Sequence, residues 1–249
     1  MRGLGALQGP FEASLSDAKV LLPRRLLLCI TFALVTLPVA RFAASYTHNL
    51  RTVAWIGTPG TWAIGFLYYA DAMRLVFVPE YKLSFSSILR LLGVTIILLG
   101  VVILGWVGFV EAIMRLHLNR STLDLLSNVI YVGLLIYFGT KFVFAPFALR
   151  DRGVFDACGL SWMLTTGATF GPTLVVMGAF YVIAFSVNPA VWALKLGLGA
   201  WSYATLNIAV AYLCAMLLGA FYYPFAARWM VKCEALKGTA AIVPPYTSS

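Results

Sequence analysis

The chain has 249 residues, 61% of them hydrophobic and 11% charged, with a mean hydropathy of +0.90. Soluble domains carry about 25% charged residues, so this chain lacks the polar surface to cover a globule in water, and lipid must solvate much of it. Its long unbroken apolar runs, such as 91-LLGVTIILLGVVILGWVGFV-110, exclude a β-barrel, whose strands alternate in segments of about ten residues. The expected class is an all-α integral membrane protein. The formal charge of +9 predicts contact with anionic headgroups and no nucleic acid, because no basic run exceeds Arg24-Arg25.

A crossing helix needs about 20 apolar residues, and six candidates follow along the chain. The N-terminal residues 1–25 are mixed, whereas a secretory signal begins its apolar core sooner, so the first span is expected to persist in the mature protein. Within them, 11-FEASLSDAKVLLP-23 is amphipathic: Phe11, Leu15, Ala18 and Leu22 share one helical stripe, and Glu12, Ser16 and Lys19 another. The first span covers about 25–45. The second covers about 53–76 and contains 57-GTPG-60, where Pro59 removes a hydrogen bond and either starts or kinks the helix. Near its end, Asp71 and Arg74 stand i, i+3 and can pair on one face. An intramembrane ionisable pair of this kind is either self-neutralised or lines a polar cavity.

The segment 83-LSFSSILRLLG-93 leads into the third span, about 90–110, which ends at the i, i+4 pair Glu111 and Arg115. The fourth span covers about 125–147. Next comes 151-DRGVFDACGLSWMLTTGATFGP-172, half polar and placed before more apolar sequence. Its pattern predicts a helix lying at the interface, with Phe155, Cys158 or Gly159, and Trp162 on one face and Asp156 outside it. Phe155, Asp156 and Trp162 form a candidate docking face. Gly167 and Gly171 form GxxxG, a pattern used for close helix approach. Pro172 fits a first-turn position or a break between helices. The fifth span covers about 172–188. Gly197, Gly199 and Ala200 open the sixth, about 199–224, with Lys195 snorkelling before it. Residues 1–233 are expected to form one membrane domain and 234–249 a short tail.

With the N-terminus on one side, that side carries thirteen Lys and Arg and the other five. The positive-inside rule then puts both termini in the cytoplasm of a bacterial-type inner membrane. The three segments that open at Phe11, Leu83 and Phe155 are spaced by 72 and 72 residues, each followed by a polar residue (Glu12, Ser84, Asp156) suited to a helix start. This predicts a three-unit repeat of amphipathic helix, outgoing span and returning span, with about three cytoplasmic-side interfacial helices.

Chemistry is sparse. His48 and His117 fall in outer loops without HxxE, HExxH or DxD around them, and no glycine-rich phosphate loop follows a strand. Cys29, Cys158, Cys214 and Cys233 form no CxxC and read as small buried hydrophobes. No catalytic residue, cofactor or metal site is expected.

The stretch 153-GVFDACGLSWMLTTGATFGPTLVV-176 resembles the recurring element of the membrane domain found ahead of some glycerophosphodiester phosphodiesterases, and of the related six-span YciC-like proteins. The shared form is an acid, Ala, Ser and Leu-Thr-x-Gly before an apolar span, matched by Asp156, Ala157, Ser161, Leu164, Thr165 and Gly167. The basic residue usual after the Ala is replaced by Cys158 and Gly159. The resemblance implies a six-helix membrane domain without a catalytic set. The expected function is a non-enzymatic scaffold, accessory subunit of a membrane complex or lipid-organising protein, with the bilayer and other membrane subunits as partners. The alternative is a small transporter or permease with a polar site at Asp71 and Arg74.

Overall fold

The computed structural model describes residues 5–47, 50–115, 119–186 and 200–238. The described residues form helices and no strand: α1 (Gln8–Thr47), α2 (Leu50–Val76), α3 (Phe85–Met114), α4 (Arg120–Phe142), a single turn α5 (Ala145–Ala148), α6 (Val154–Leu164), a 3₁₀ turn (Gly167–Thr169), α7 (Phe170–Ser186) and α8 (Ala200–Leu236). Among the described residues, four segments are long and apolar enough to cross a bilayer: Gln8–Ala43, Phe85–Met114, Arg120–Ala148 and Ile208–Leu236. A fifth arises if Val154–Leu164 and Gly167–Phe180, bent by 85°, count as one. The helix expected at 53–76 forms within a 27-residue helix, which is not among the four found in the described residues. At about 1.5 Å per residue, the 17 described residues of α7 reach about 26 Å.

Of the three segments expected as interfacial helices leading into spans, the third is a separate helix and the other two are continuous with the spans they precede. The first runs without interruption into α1, a 40-residue helix that continues through Pro23 and Pro38. Proline inside a long apolar helix is tolerated where neighbouring groups satisfy the freed carbonyls. Because α1 begins at Gln8, Glu12 lies inside the helix rather than at a start. The second is the beginning of α3 itself. Ser84 is its N-cap, accepting a hydrogen bond from Ser87 N–H at 3.1 Å, the helix-start role expected of that position. The third is α6, with Asp156 in its first turn and Gly153 as its cap.

The described chain groups into two compact units, one built from Gln8–Lys82 and Phe180–Arg228, the other from Leu83–Ala179 and the segment from Trp229 on. In the first unit, α1 runs antiparallel to α2 and α8. Asp17 meets Arg228 while Thr36 meets Tyr212, and Arg25 meets Asp71. Ile64, Tyr68, Ile208, Tyr212 and Ala220 form its buried core with Leu21 and Cys29 of α1. The helices touch closely at glycines. A Cβ built on Gly219 would lie 2.7 Å from the Tyr68 ring, and one on Gly60 would lie 2.1 Å from the Tyr212 hydroxyl.

In the second unit α3 packs along α4, where a Cβ on Gly105 would meet Leu134 at 3.3 Å. Trp106 fixes the pair by donating from Nε1 to Ser127 Oγ at 2.9 Å. The short α5 and α6 close the end of this hairpin.

Candidate functional site

The first unit carries a charged layer at one end. Arg25 follows Pro23 on α1, and the 46 residues separating it from Asp71 are bridged by the antiparallel packing of α1 on α2. Its guanidinium grips both carboxylate oxygens, Nε to Oδ2 at 2.8 Å and Nη2 to Oδ1 at 2.6 Å. This is the two-pronged geometry that suits arginine to carboxylate. Asp71 is 2% exposed, so its charge could not stand there alone. Arg74 is the weaker partner, with Nη1 3.4 Å from Oδ1. Its Nε donates instead to the Tyr81 carbonyl at 2.7 Å and ties the turn after α2 back onto the helix. The i, i+3 pair read from the sequence is therefore present, but Arg25 is the principal partner of Asp71.

Asp17, two turns earlier on α1, receives Arg228 of α8, Nη2 at 2.8 Å and Nε at 2.9 Å from Oδ2. Between these pairs lies a cavity of about 150 Å³ lined by Asp17, Val20, Leu21, Arg24, Asp71, Arg74 and Leu75. Arg24 is exposed. One turn before Asp71, the Tyr68 hydroxyl is buried with no hydrogen-bond partner among the described residues.

The second unit has a different polar cluster, built around the bend between α6 and α7. The last carbonyls of a helix have no partner inside it, and here two lysines supply one. Lys141 donates from Nζ to the Thr165 carbonyl at 3.0 Å. Lys237 reaches the Met163 carbonyl and donates to the Thr166 carbonyl at 2.9 Å. Positive charge at a helix C-terminus also meets the favourable end of its dipole. Lys141 is buried, at 6% exposure, and its ammonium faces the rings of Phe170 at 4.5 Å, Trp162 at 5.0 Å and Tyr137 at 5.8 Å. Ser161 completes the cluster by donating to the Lys141 carbonyl at 2.7 Å and accepting from Phe144 N–H at 3.0 Å. In the sequence Lys141 is only one of the thirteen positive charges counted on the side of the N-terminus. Its spacing from the Ser161 to Thr165 stretch gives no sign that it is a buried brace.

The expected close-packing role of Gly167 and Gly171 is not what the structure shows. A Cβ on either glycine would meet nothing within 4 Å. Gly167 instead has φ of 66°, a left-handed conformation that turns the chain between α6 and α7. Gly171 and Pro172 lie in the first turn of α7, immediately after the bend. The close contacts fall on Gly60 and Gly219, which stand in no GxxxG pattern.

On α6, Ala157, Cys158, Leu160, Ser161 and Leu164 are buried, while Phe155, Asp156, Gly159, Trp162 and Met163 are exposed. Phe155, Gly159, Trp162 and Met163 recur at helical spacing, so the exposed face carries an apolar stripe with Asp156 beside it. Phe155 is 81% exposed. The four cysteines are free, and three are buried. Among the described residues no group of three or more His, Cys, Asp or Glu is placed to hold a metal. His48, His117, Lys195, Gly197 and Gly199 lie outside the described residues, as does the tail beyond residue 238. Ala200 opens α8.

No family model, curated protein or solved structure matches the chain.

Proposed function

We propose that the chain is a non-enzymatic, multi-pass membrane protein that organises lipid at the cytoplasmic face, alone or as an accessory subunit of a membrane complex. The observation that carries this reading is the apolar stripe of α6, Phe155, Gly159, Trp162 and Met163, exposed on a helix bent 85° from the segment that follows it. A helix packed on the protein by one face and apolar on its exposed face can lie in the interface with the exposed face in the acyl region. The charged groups described above support it. Asp71 is gripped by Arg25, and Lys141 is spent on Thr165, so both act as structural ties rather than as reacting groups.

The same reading takes the spans as six, in three outgoing and returning pairs, with both termini cytoplasmic. Labelling tests the orientation: a cysteine at Ser121 reacts with an impermeant maleimide from outside intact cells, and labelling only after the inner face is opened refutes it. The function is tested with nitroxide-labelled phosphatidylglycerol in vesicles containing the full chain. The protein immobilises a fraction of this lipid, and Phe155→Ser with Met163→Ser reduces that fraction. An unchanged fraction in the double variant removes the lipid-organising role.

A second reading, a small transporter or permease, is favoured by the cavity beside Asp71 and Arg74. It requires that Arg74→Met abolish the flux of a solute across vesicles, and intact flux in that variant removes it.

A further inference from the structure

The cavity between the early turns of α1 and the end of α2 has the chemistry of an anion site. Each of its carboxylates is already neutralised. Both Asp71 oxygens accept from Arg25, and Asp17 Oδ2 accepts twice from Arg228. Neither carboxylate calls for an added cation. The arginines are in excess, with Arg24, Arg25, Arg74 and Arg228 standing against two aspartates. Arg24 makes no ion pair or hydrogen bond among the described residues, so its whole fork of donors is free. Arg74 uses Nε on Tyr81 and Nη1 on Asp71, which leaves Nη2.

Size and surroundings narrow the ligand. Each molecule of liquid water occupies about 30 Å³, so a cavity of about 150 Å³ has room for a phosphate group. Its remaining lining, Val20, Leu21 and Leu75, is apolar, and Val20 and Leu75 are exposed. A free phosphate ion has no use for an apolar, open side. An amphiphile does: its phosphate meets the arginines, and its chains leave along the leucines and valine.

We propose that this pocket holds the phosphate of an anionic membrane lipid, with Arg24 and Arg74 donating to its non-bridging oxygens and Val20, Leu21 and Leu75 lining the exit of its acyl chains. The site deepens the lipid-organising reading and rests on it. It shares no residue with the α6 stripe, so the two can fail independently.

The test uses the full chain in dodecyl maltoside, titrated with dioleoylphosphatidylglycerol, dioleoylphosphatidylcholine or inorganic phosphate and read by native mass spectrometry. Phosphatidylglycerol is retained in preference to phosphatidylcholine. Arg24→Gln weakens that retention about tenfold, the loss of one charge-assisted contact. Arg24→Lys, which keeps the charge without the fork, weakens it less. The unfolding midpoint stays unchanged in both variants because Arg24 ties no other residue. Inorganic phosphate that binds with the same Arg24 dependence, with no preference for the lipid, overturns the lipid assignment and gives the site to a soluble phosphate compound. Undiminished phosphatidylglycerol binding in Arg24→Gln overturns the site altogether. Loss of this binding alongside normal lipid immobilisation by the α6 stripe confirms the pocket as a separate contributor.

Discussion

Asp71→Asn removes the negative charge from a buried site while keeping the side chain's shape. Arg25, with a side chain 17% exposed, would then lie against an amide that can accept only through one oxygen. Removing one partner of a buried pair costs about 3–5 kcal/mol, because the other charge is left uncompensated. The amide oxygen can keep one of the two contacts to Arg25, and Arg25 is not fully enclosed. The expected loss is therefore at the low end, about 3 kcal/mol. The clean quantity is the coupling in a double-mutant cycle with Arg25→Gln, in which the double variant recovers about 2 kcal/mol or more of the summed single losses. The assay is unfolding of the purified full chain by sodium dodecyl sulfate in mixed micelles, followed by circular dichroism. A coupling below about 0.5 kcal/mol, the size of a surface ion pair, would refute the claim that this pair locks α1 to α2.

The second unit predicts a similar dependence on Lys141. Lys141→Met retains the apolar stem but leaves the buried Thr165 carbonyl without its donor and should cost about 1–3 kcal/mol in the same unfolding assay, whereas no loss would mean that the lysine is dispensable to the bend. The glycines predict opposite signs. Gly219→Ala places a methyl 2.7 Å from the Tyr68 ring and destabilises by about 1–3 kcal/mol; Gly171→Ala meets nothing within 4 Å and is neutral or stabilising by up to about 1 kcal/mol. Equal effects at the two positions would contradict the packing described. Tyr68→Phe removes a buried hydroxyl that has no partner among the described residues and should raise the unfolding midpoint or leave it unchanged; a marked fall would show that the hydroxyl is bonded.

Local features were legible in the sequence, and distant pairings were not. The apolar runs announce the helices, Ser84 announces the start of α3, and Pro172 announces the first turn of α7, because each acts on its own neighbourhood. The i, i+3 spacing of Asp71 and Arg74 correctly put them in reach. It could not reveal that Arg25 is the stronger partner, since that depends on which helix packs where. Gly167 shows the limit of a motif. GxxxG describes a smooth helical face, whereas a glycine just past the end of an 11-residue helix is used for its backbone freedom. Lys141 shows the limit of counting charges by loop, because the aromatic rings and carbonyl that bury it come from Tyr137, Trp162, Thr165 and Phe170, folded around it by a bend that composition does not encode. α1 continues through Pro23, although a proline removes one hydrogen bond from the ladder.

The measurement closest to the central claim is the depth of α6 in the bilayer. A nitroxide is attached in turn at cysteines replacing Phe155, Asp156, Gly159 and Met163, in the full chain reconstituted into phosphatidylglycerol-containing vesicles. Collision with oxygen and with a water-soluble nickel chelate then gives the depth of each. The account predicts Phe155, Gly159 and Met163 at about 5–10 Å into the headgroup and acyl boundary, with Asp156 shallower and open to the chelate. Labels at all four positions that are open to the chelate and closed to oxygen would place α6 in water and contradict a lipid-facing role.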